Sequence, residues 1–194
     1  PEYCFGCYKV QINTTNVFQL IKLLFLFNSD FLSNHIRKCM VETRYQVKEN
    51  YKGFIYCTGL DDAKNICETT KVKLNEFGIN YKNIEIKHGC TEYYQKYPDF
   101  KKINLNGPQK MLYSETWKKF EKIIDDESPN RDKRVIVESI NKVNLSDFLI
   151  IKNWLNYAEL IGDESFKKFY KMKASPNFLN LRLKNQIDFR KNEL

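Results

Sequence analysis

The chain of 194 residues carries 32 Lys and Arg against 24 Asp and Glu, which gives a formal net charge of +8 at pH 7. With 42% hydrophobic and 14% aromatic residues it can bury a core, and this excludes a disordered polymer. The longest apolar run, from Val17 to Phe27, has 11 residues with a lysine inside and is too short to span a bilayer. The composition therefore predicts a basic globular protein that does not cross a membrane.

Four alternating segments and two segments of helical periodicity organise the first hundred residues. In chain order they predict a strand at 8–12, a helix at 17–27, strands at 36–44 and 52–57, a helix at 60–77 and a strand at 81–87. This order favours a ferredoxin-like α+β sandwich, with two helices on one face of an antiparallel sheet whose strand order is 4-1-3-2. The residues expected to face the helices include Val10, Val41, Ile55 and Ile84.

The pattern from about residue 100 onwards is mainly helical. Helices are predicted at 114–127, at 146–161 behind a Ser146 cap, and at 165–172, with a short strand at 135–137. We therefore predict a ferredoxin-like domain over residues 1–99 and a helical C-terminal extension over residues 100–194. That extension is expected to pack on the domain or on a second copy, which makes a homo-oligomer a candidate assembly.

The third strand contains Lys52-Gly53-Phe54-Ile55-Tyr56, which resembles the first five positions of the RNA-recognition-motif signature. The resemblance covers these five residues and the βαββαβ order. It departs from the signature at Ile55, where a small residue is usual, and at Gly59, where an aromatic is usual. It also departs at Lys9, which takes the place of a second stacking aromatic.

This resemblance implies weak binding of single-stranded RNA on the sheet face away from the helices. The expected contact residues are Phe54, Tyr56, Lys9, Lys38, Arg44, Lys52 and Lys87. Two alternatives remain open. Trp117, Trp154 and Leu155 of the C-terminal helices can cover the two rings, and AT-rich codon usage can account for the many lysines without a nucleic-acid partner.

Clustered cysteines suggest a second function. The predicted topology brings five of the six cysteines to strand ends at one edge of the sheet: Cys4, Cys7, Cys39, Cys57 and Cys90. Cys4-Phe5-Gly6-Cys7 is a CxxC motif, and two of Cys90, Cys57 and His88 would complete a tetrahedral zinc site with it. The alternative is that Cys39, Cys57 and Cys67 are small core residues, because free cysteine is usually buried.

Enzyme signatures are missing from the sequence, which contains no Gly-rich phosphate loop, HExxH or Gly-x-Ser-x-Gly. The pair Asp61-Asp62 is explained by its place near a helix N-terminus. The sequence thus favours a non-catalytic binding module, with a cysteine nucleophile beside His88 as the enzyme alternative and a scaffold or oligomerisation protein as a further one. Six cysteines without a recognisable signal peptide favour a reduced, cytoplasmic location.

Overall fold

Four strands and six helices make up the part of the chain that the computed structural model describes, which is residues 7–89, 102–106, 115–127, 143–171 and 177–193. The strands are β1 (Tyr8–Thr14), β2 (Arg37–Val41), β3 (Tyr51–Cys57) and β4 (Tyr81–His88). The helices are α1 (Val17–Phe27), α2 (Leu60–Glu76), α3 (Glu115–Glu127), α4 (Leu145–Leu160), α5 (Lys167–Lys171) and α6 (Asn177–Glu193). Two 3-10 turns occur, at Asp30–Leu32 and Glu164–Phe166.

The strands form one antiparallel sheet with the order β2-β3-β1-β4. Its three pairings, β4 with β1, β1 with β3 and β3 with β2, are the neighbours that the sequence predicts. At the centre, Val10 lies opposite Ile55 on one side and Ile86 on the other. The protein is therefore an α+β structure with a four-stranded antiparallel sheet and several helices.

One face of the sheet packs against α1 and α2. Val10, Ile12 and Ile55 are fully buried there, in a cluster that includes Leu26 of α1 and Ala63 of α2. Because side chains alternate along a strand, the even-numbered residues of β3 face the opposite way. The predicted register of β3 is confirmed, since a slip of one residue would have exposed Ile55.

The helix ends follow capping rules, with one difference from the sequence prediction. The Asn16 side chain accepts a hydrogen bond from the Gln19 amide and begins α1. The predicted cap of α4, Ser146, is wrong. Asn144 caps that helix instead, because its side chain accepts from the Asp147 amide while the Asp147 carboxylate accepts from the Asn144 amide.

The helix α4 packs on α1, beside the first core. Trp154 and Ala158 are buried there against Leu20 and Ile21 of α1, and Leu155 packs on the same cluster. Asp163 also accepts a 2.8 Å hydrogen bond from the Val17 amide at the start of α1. For Trp154 and Leu155, the alternative in which they cover Phe54 and Tyr56 is wrong, because α4 packs on the helical side of the sheet. For Trp117, whose side chain lies outside the described residues, it stays a prediction.

Two sequence predictions fall outside the residues that the structure describes, and two described elements differ from the sequence prediction. The strand predicted at 135–137 and the domain boundary near residue 100 lie outside the described residues, so the two-part organisation stays a prediction. The second strand, predicted at 36–44, is limited to Arg37–Val41. Helix α6 was not predicted. Among the described ranges, no helix has both the length and the apolar character needed to cross a bilayer.

Gly53 marks the closest approach of α1 to the sheet. A Cβ at this position would lie 2.5 Å from Leu23 Cδ2 and 3.0 Å from Phe27 Cζ, which is overlap with two fully packed core side chains. We expect Gly53→Ala to lower the free energy of unfolding by about 1–3 kcal/mol, measured by urea denaturation. Gly59→Ala is the control, since a Cβ there meets nothing within 4 Å. Equal effects of the two variants would mean that α1 does not press on β3.

Candidate functional site

The sheet face away from α1 and α2, here called the outer face, carries most of the predicted RNA-contacting residues. Strand pairing places its members opposite one another: Lys9, Gln11 and Asn13 of β1, Lys38 and Met40 of β2, Lys52, Phe54 and Tyr56 of β3, and Asn83, Glu85 and Lys87 of β4. Glu42 and Arg44 follow β2 at one end of this face. The face therefore combines five basic side chains, two acidic ones and two aromatic rings.

Two lysines lie over the aromatic rings of the outer face. The Lys38 ammonium is 5.4 Å from the centroid of the Phe54 ring and 5.9 Å from that of Tyr56, and the Lys9 ammonium is 5.6 Å from that of Phe54. These distances are typical of cation–π contacts. Phe54 itself is only 8% exposed, whereas Tyr56 is half-buried and Lys38 is exposed. Tyr56 is thus the more accessible of the two rings.

A buried carboxylate neutralises part of the basic charge. Glu42 accepts hydrogen bonds from Arg44 Nη2 at 2.7 Å and Nε at 2.8 Å, and its carboxylate lies 3.4 Å from the Lys52 ammonium. The Arg44 bond holds the pKa of Glu42 well below its ordinary value, at about 2, and the positive charge of Lys52 adds to this. Burial lowers the pKa of Lys52. Lys52 is therefore engaged within the protein, while most of the Arg44 side chain faces solvent.

The remaining polar groups of the outer face are also connected. Gln11 Nε2 donates to Asn13 Oδ1 at 2.9 Å, and Asn13 Nδ2 donates to Asn83 Oδ1 at 2.6 Å. Lys87 pairs with Glu85 on the same strand at 3.0 Å. Because Gln11 and Asn13 are buried, these bonds satisfy groups that would otherwise lose their hydration. The face is an ordered polar surface rather than a loose set of solvated side chains.

The predicted cysteine cluster lies at one end of the sheet, here called the rim, where β1 begins and β3 and β4 end. Tyr8 lies opposite both Cys57 and His88, and the Gly89 amide donates to the Cys7 carbonyl oxygen at 2.8 Å. Cys7 is half-buried and Cys57 is buried. His88 is buried, with its ring stacked on Tyr8 at a centroid distance of 4.3 Å. The other predicted ligands, Cys4 and Cys90, lie outside the described residues.

Cys39 is not at the rim, contrary to the sequence prediction. It is the central residue of β2 and lies opposite Gly53, two residues from the rim end of that strand. The difference arises from the pairing register, because Arg37 lies opposite Ile55 and Cys39 therefore lies at the level of Gly53, well before Cys57 at the end of β3. Burial raises the pKa of the Cys39 thiol, as expected of a packed core cysteine.

The structure brings a different group of side chains together at the rim. One ligand atom each from His35, Cys57 and Asp62 lie within 4.8 Å of one another. His35 Nε2 is 3.0 Å from Asp62 Oδ1 and 3.2 Å from Oδ2. His35 is held there by its turn, since Arg37 donates to the carbonyl oxygens of His35 at 3.1 Å and Leu32 at 2.9 Å. In the sequence, His35 falls between the predicted helix at 17–27 and the predicted strand at 36–44, and Asp62 is explained by its place near a helix N-terminus.

The thiol of Cys57 is not an activated nucleophile. Burial is the main cause that raises its pKa to about 12, and the negative charge of Asp62 and the neighbouring Cys7 add to the effect. The thiol is therefore protonated at neutral pH and poorly reactive. Burial also raises the pKa of Cys67, on α2. What this geometry offers chemically is a set of nitrogen, sulfur and oxygen donors rather than a catalytic thiolate.

Comparison with known proteins adds no relative. No protein-family model matches the chain, and no curated protein or solved structure matches it either. What the protein binds must therefore be inferred from the outer face and the rim.

Proposed function

We propose that this protein is a non-catalytic binding module that holds single-stranded RNA weakly on its outer face. The observation that carries the proposal is the Lys38 ammonium lying over two adjacent rings, Phe54 and Tyr56, on a sheet surface rich in basic side chains. Single strands bind such surfaces by base stacking on aromatic rings and by phosphate contact with Lys and Arg. The exposed Lys38 and the half-buried Tyr56 meet both requirements.

The burial of the outer-face side chains supports a different role in RNA binding for each of them. Tyr56 is the ring on which a base stacks. Phe54, the adjacent ring on the same face of β3, is largely buried and therefore supports the site from beneath the surface. Lys38 and Arg44 present charge to solvent and contact phosphates, whereas Lys52 is held by Glu42 and shapes the surface. The proposed site makes two phosphate contacts and stacks one base, so the binding is weak. Because part of it comes from phosphate contacts, it is also salt-sensitive.

A fluorescence anisotropy titration with a labelled oligouridine at low salt tests this proposal. We expect Tyr56→Ala to weaken binding by about 1–3 kcal/mol, because it removes one stacked base. Lys38→Ala should reduce the slope of log affinity against log salt by about 0.7, because one phosphate contact is lost. Lys64→Ala on α2 is the control, since Lys64 is a partly exposed lysine on the helical side of the sheet.

Two results would contradict the proposal. One is no detectable binding by the wild-type protein at low salt. The other is equal binding by wild type and Tyr56→Ala, with circular dichroism showing that both proteins are folded. If Lys64→Ala weakened binding as much as Lys38→Ala, the interaction would be general charge attraction and not a site on the outer face.

We also propose a ferredoxin-like classification for this sheet and its two helices. It is supported by the β4–β1, β1–β3 and β3–β2 pairings and by the shared core that α1 and α2 form with one face. Such a fold places neither α1 nor α2 on the second face of the sheet, and the accessible part of that face is the region of Lys38, Tyr56 and Arg44.

A second candidate function is zinc binding at the rim, supported by the position of Cys7, Cys57 and His88 at the same end of the sheet. Among the described residues these three do not bring their ligand atoms within 4.8 Å of one another, so binding would require them to move together. Cys4 and Cys90 are the further ligands that the sequence proposes. Zinc analysis of the purified protein, with thiol titration before and after chelation, tests this candidate. A scaffold or oligomerisation role stays a prediction.

A further inference from the structure

Three side chains of different donor type meet at the rim from three separate elements. His35 comes from the turn before β2, Cys57 is the last residue of β3, and Asp62 lies in the first turn of α2. Cys57 and Asp62 lie on either side of the short connection between β3 and α2, and the tertiary fold brings the distant His35 to them. Their donor set of imidazole, thiol and carboxylate suits a borderline divalent cation such as Zn²⁺ better than Mg²⁺ or Ca²⁺.

The separations are close to those of a metal site. Zinc bonds of about 2.0–2.3 Å arranged tetrahedrally place ligand atoms roughly 3.3–3.8 Å apart. His35 and Asp62 are 3.0 Å apart at their nearest atoms, and no pair in the group exceeds 4.8 Å. Side-chain shifts of about 1 Å would bring all three atoms onto one ion, on the same bond lengths.

An independent observation concerns the second nitrogen of His35. Nδ1 is buried, and among the residues that the structure describes it has no hydrogen-bond partner. When Nε2–H donates to Asp62, Nδ1 is left as a buried acceptor, and a buried polar atom without a partner is unfavourable. Among the described residues only Nε2 of this imidazole therefore has a partner, and that partner is the Asp62 carboxylate of the same group of donors.

We propose that His35, Cys57 and Asp62 form a zinc site that ties the turn before β2 to the end of β3 and the start of α2. Its fourth position faces solvent, because about a third of the Asp62 side chain is exposed, and water fills it. On binding, the Cys57 S–H bond breaks, its proton passes to water and a zinc–sulfur bond forms. The proposal deepens the second candidate function and replaces His88 and the CxxC cysteines with other ligands.

The alternative is that His35 and Asp62 form an ordinary hydrogen-bonded pair. Asp62 does have such a role, since its Oδ2 accepts from the Thr58 amide at 3.1 Å and helps to begin α2. Asp62→Asn separates the two explanations, because the amide oxygen still accepts from Thr58 while the group is a much weaker metal ligand. Asp61→Asn is the matched control in the same helical turn, and Cys67→Ala is the control for Cys57→Ala.

The experiment is a titration of metal-free protein with Co²⁺, followed by competition with Zn²⁺. We expect a thiolate-to-Co²⁺ charge-transfer band in the wild type, in Asp61→Asn and in Cys67→Ala, and its loss in Cys57→Ala. His35→Gln and Asp62→Asn should weaken Zn²⁺ binding by at least about tenfold. Zinc at a hundred times its dissociation constant should raise the wild-type Tm by roughly 5–10 °C.

Two outcomes overturn the proposal, and they differ in what they leave standing. If the wild type shows neither a Co²⁺ band nor a Tm shift with Zn²⁺, both this site and the second candidate function fail. If the wild type binds zinc, His35→Gln and Asp62→Asn bind it equally well, and Cys4→Ala or Cys7→Ala abolishes binding, these ligands are wrong and the zinc candidate stands.

Discussion

Glu42→Ala is expected to lower the free energy of unfolding by about 3–5 kcal/mol, because it leaves a buried ammonium without its counter-ion. The Glu42 side chain is 3% exposed and that of Lys52 is 4% exposed, and they lie 3.4 Å apart. The Arg44 side chain is largely exposed to water, so the loss of Glu42 destabilises its charge less than that of Lys52. Urea denaturation of the wild type and the variant, at pH 7 and constant salt, gives the difference directly.

The matched control lies on the same face of the sheet. Glu85 pairs with Lys87 at 3.0 Å, but its side chain is 41% exposed, so Glu85→Ala should change stability by less than about 1 kcal/mol. The double variant Glu42→Ala with Lys52→Met should recover much of the loss, because it removes the unpaired charge as well. If the two single glutamate variants were equally stable, the buried pair would have no role in holding the outer face.

Acid titration provides a second readout for Glu42. Its pKa is about 2 in the folded protein, below the ordinary value of 4.5, so the folded state favours the ionised form. The resulting stability is fully present above pH 4.5 and is lost as the pH falls from there towards 2. The decline in stability over this range should be shallower in Glu42→Ala than in the wild type.

Local patterns were sufficient to predict the sheet and its two helices. Alternation in Tyr8–Ile12 and the apolar run Val17–Phe27 each match one element, and the hairpin and crossover rules then leave few ways to pair the strands. The outer face shows the limit of the same patterns. Gln11 and Glu42 alternate as solvated residues would, yet both are buried, since their partners come from neighbouring positions and strands.

The group formed by His35, Cys57 and Asp62 at the rim was not predicted, for a related reason. His35 and Asp62 lie outside the strands that defined the expected cysteine cluster, one in a turn and the other in a helix. A signal was nevertheless present, because the turn before β2 and the start of α2 lie at the same end of the sheet as Cys57. Side-chain direction within a turn depends on contacts such as those of Arg37, and periodicity carries no information about these.

Helix α6 escaped prediction because no apolar stripe marks it. In the part of this helix whose side chains the structure describes, Leu183, Ile187 and Phe189 are each at least half exposed, so they do not form the buried face from which a surface helix is usually recognised. Helix α3 differs, because its apolar residues recur at helical spacing and it was predicted at 114–127 although Phe120 and Ile124 are exposed. Periodicity in the sequence, rather than burial, therefore decided which of these two helices was predicted.

Ile55→Ala tests the topology on which both proposed sites depend. Ile55 is fully buried at the centre of the sheet, opposite Val10, in the core shared with α1 and α2. We expect the variant to lose about 2–5 kcal/mol of unfolding free energy, because a central strand flanked on both sides by others collapses poorly around a cavity. Urea denaturation with a constant m-value would show that the loss reflects stability alone.

Ile36→Ala is the matched control for this substitution. Ile36 is 75% exposed, immediately before β2, and its carbonyl oxygen accepts from the Tyr56 amide at 2.8 Å. The same side-chain truncation should therefore change stability by at most about 0.5 kcal/mol. Similar losses from the two variants would mean that Ile55 does not face the helices. A register shifted by one residue would then turn Phe54 and Tyr56 into the core and remove the outer face as a binding surface.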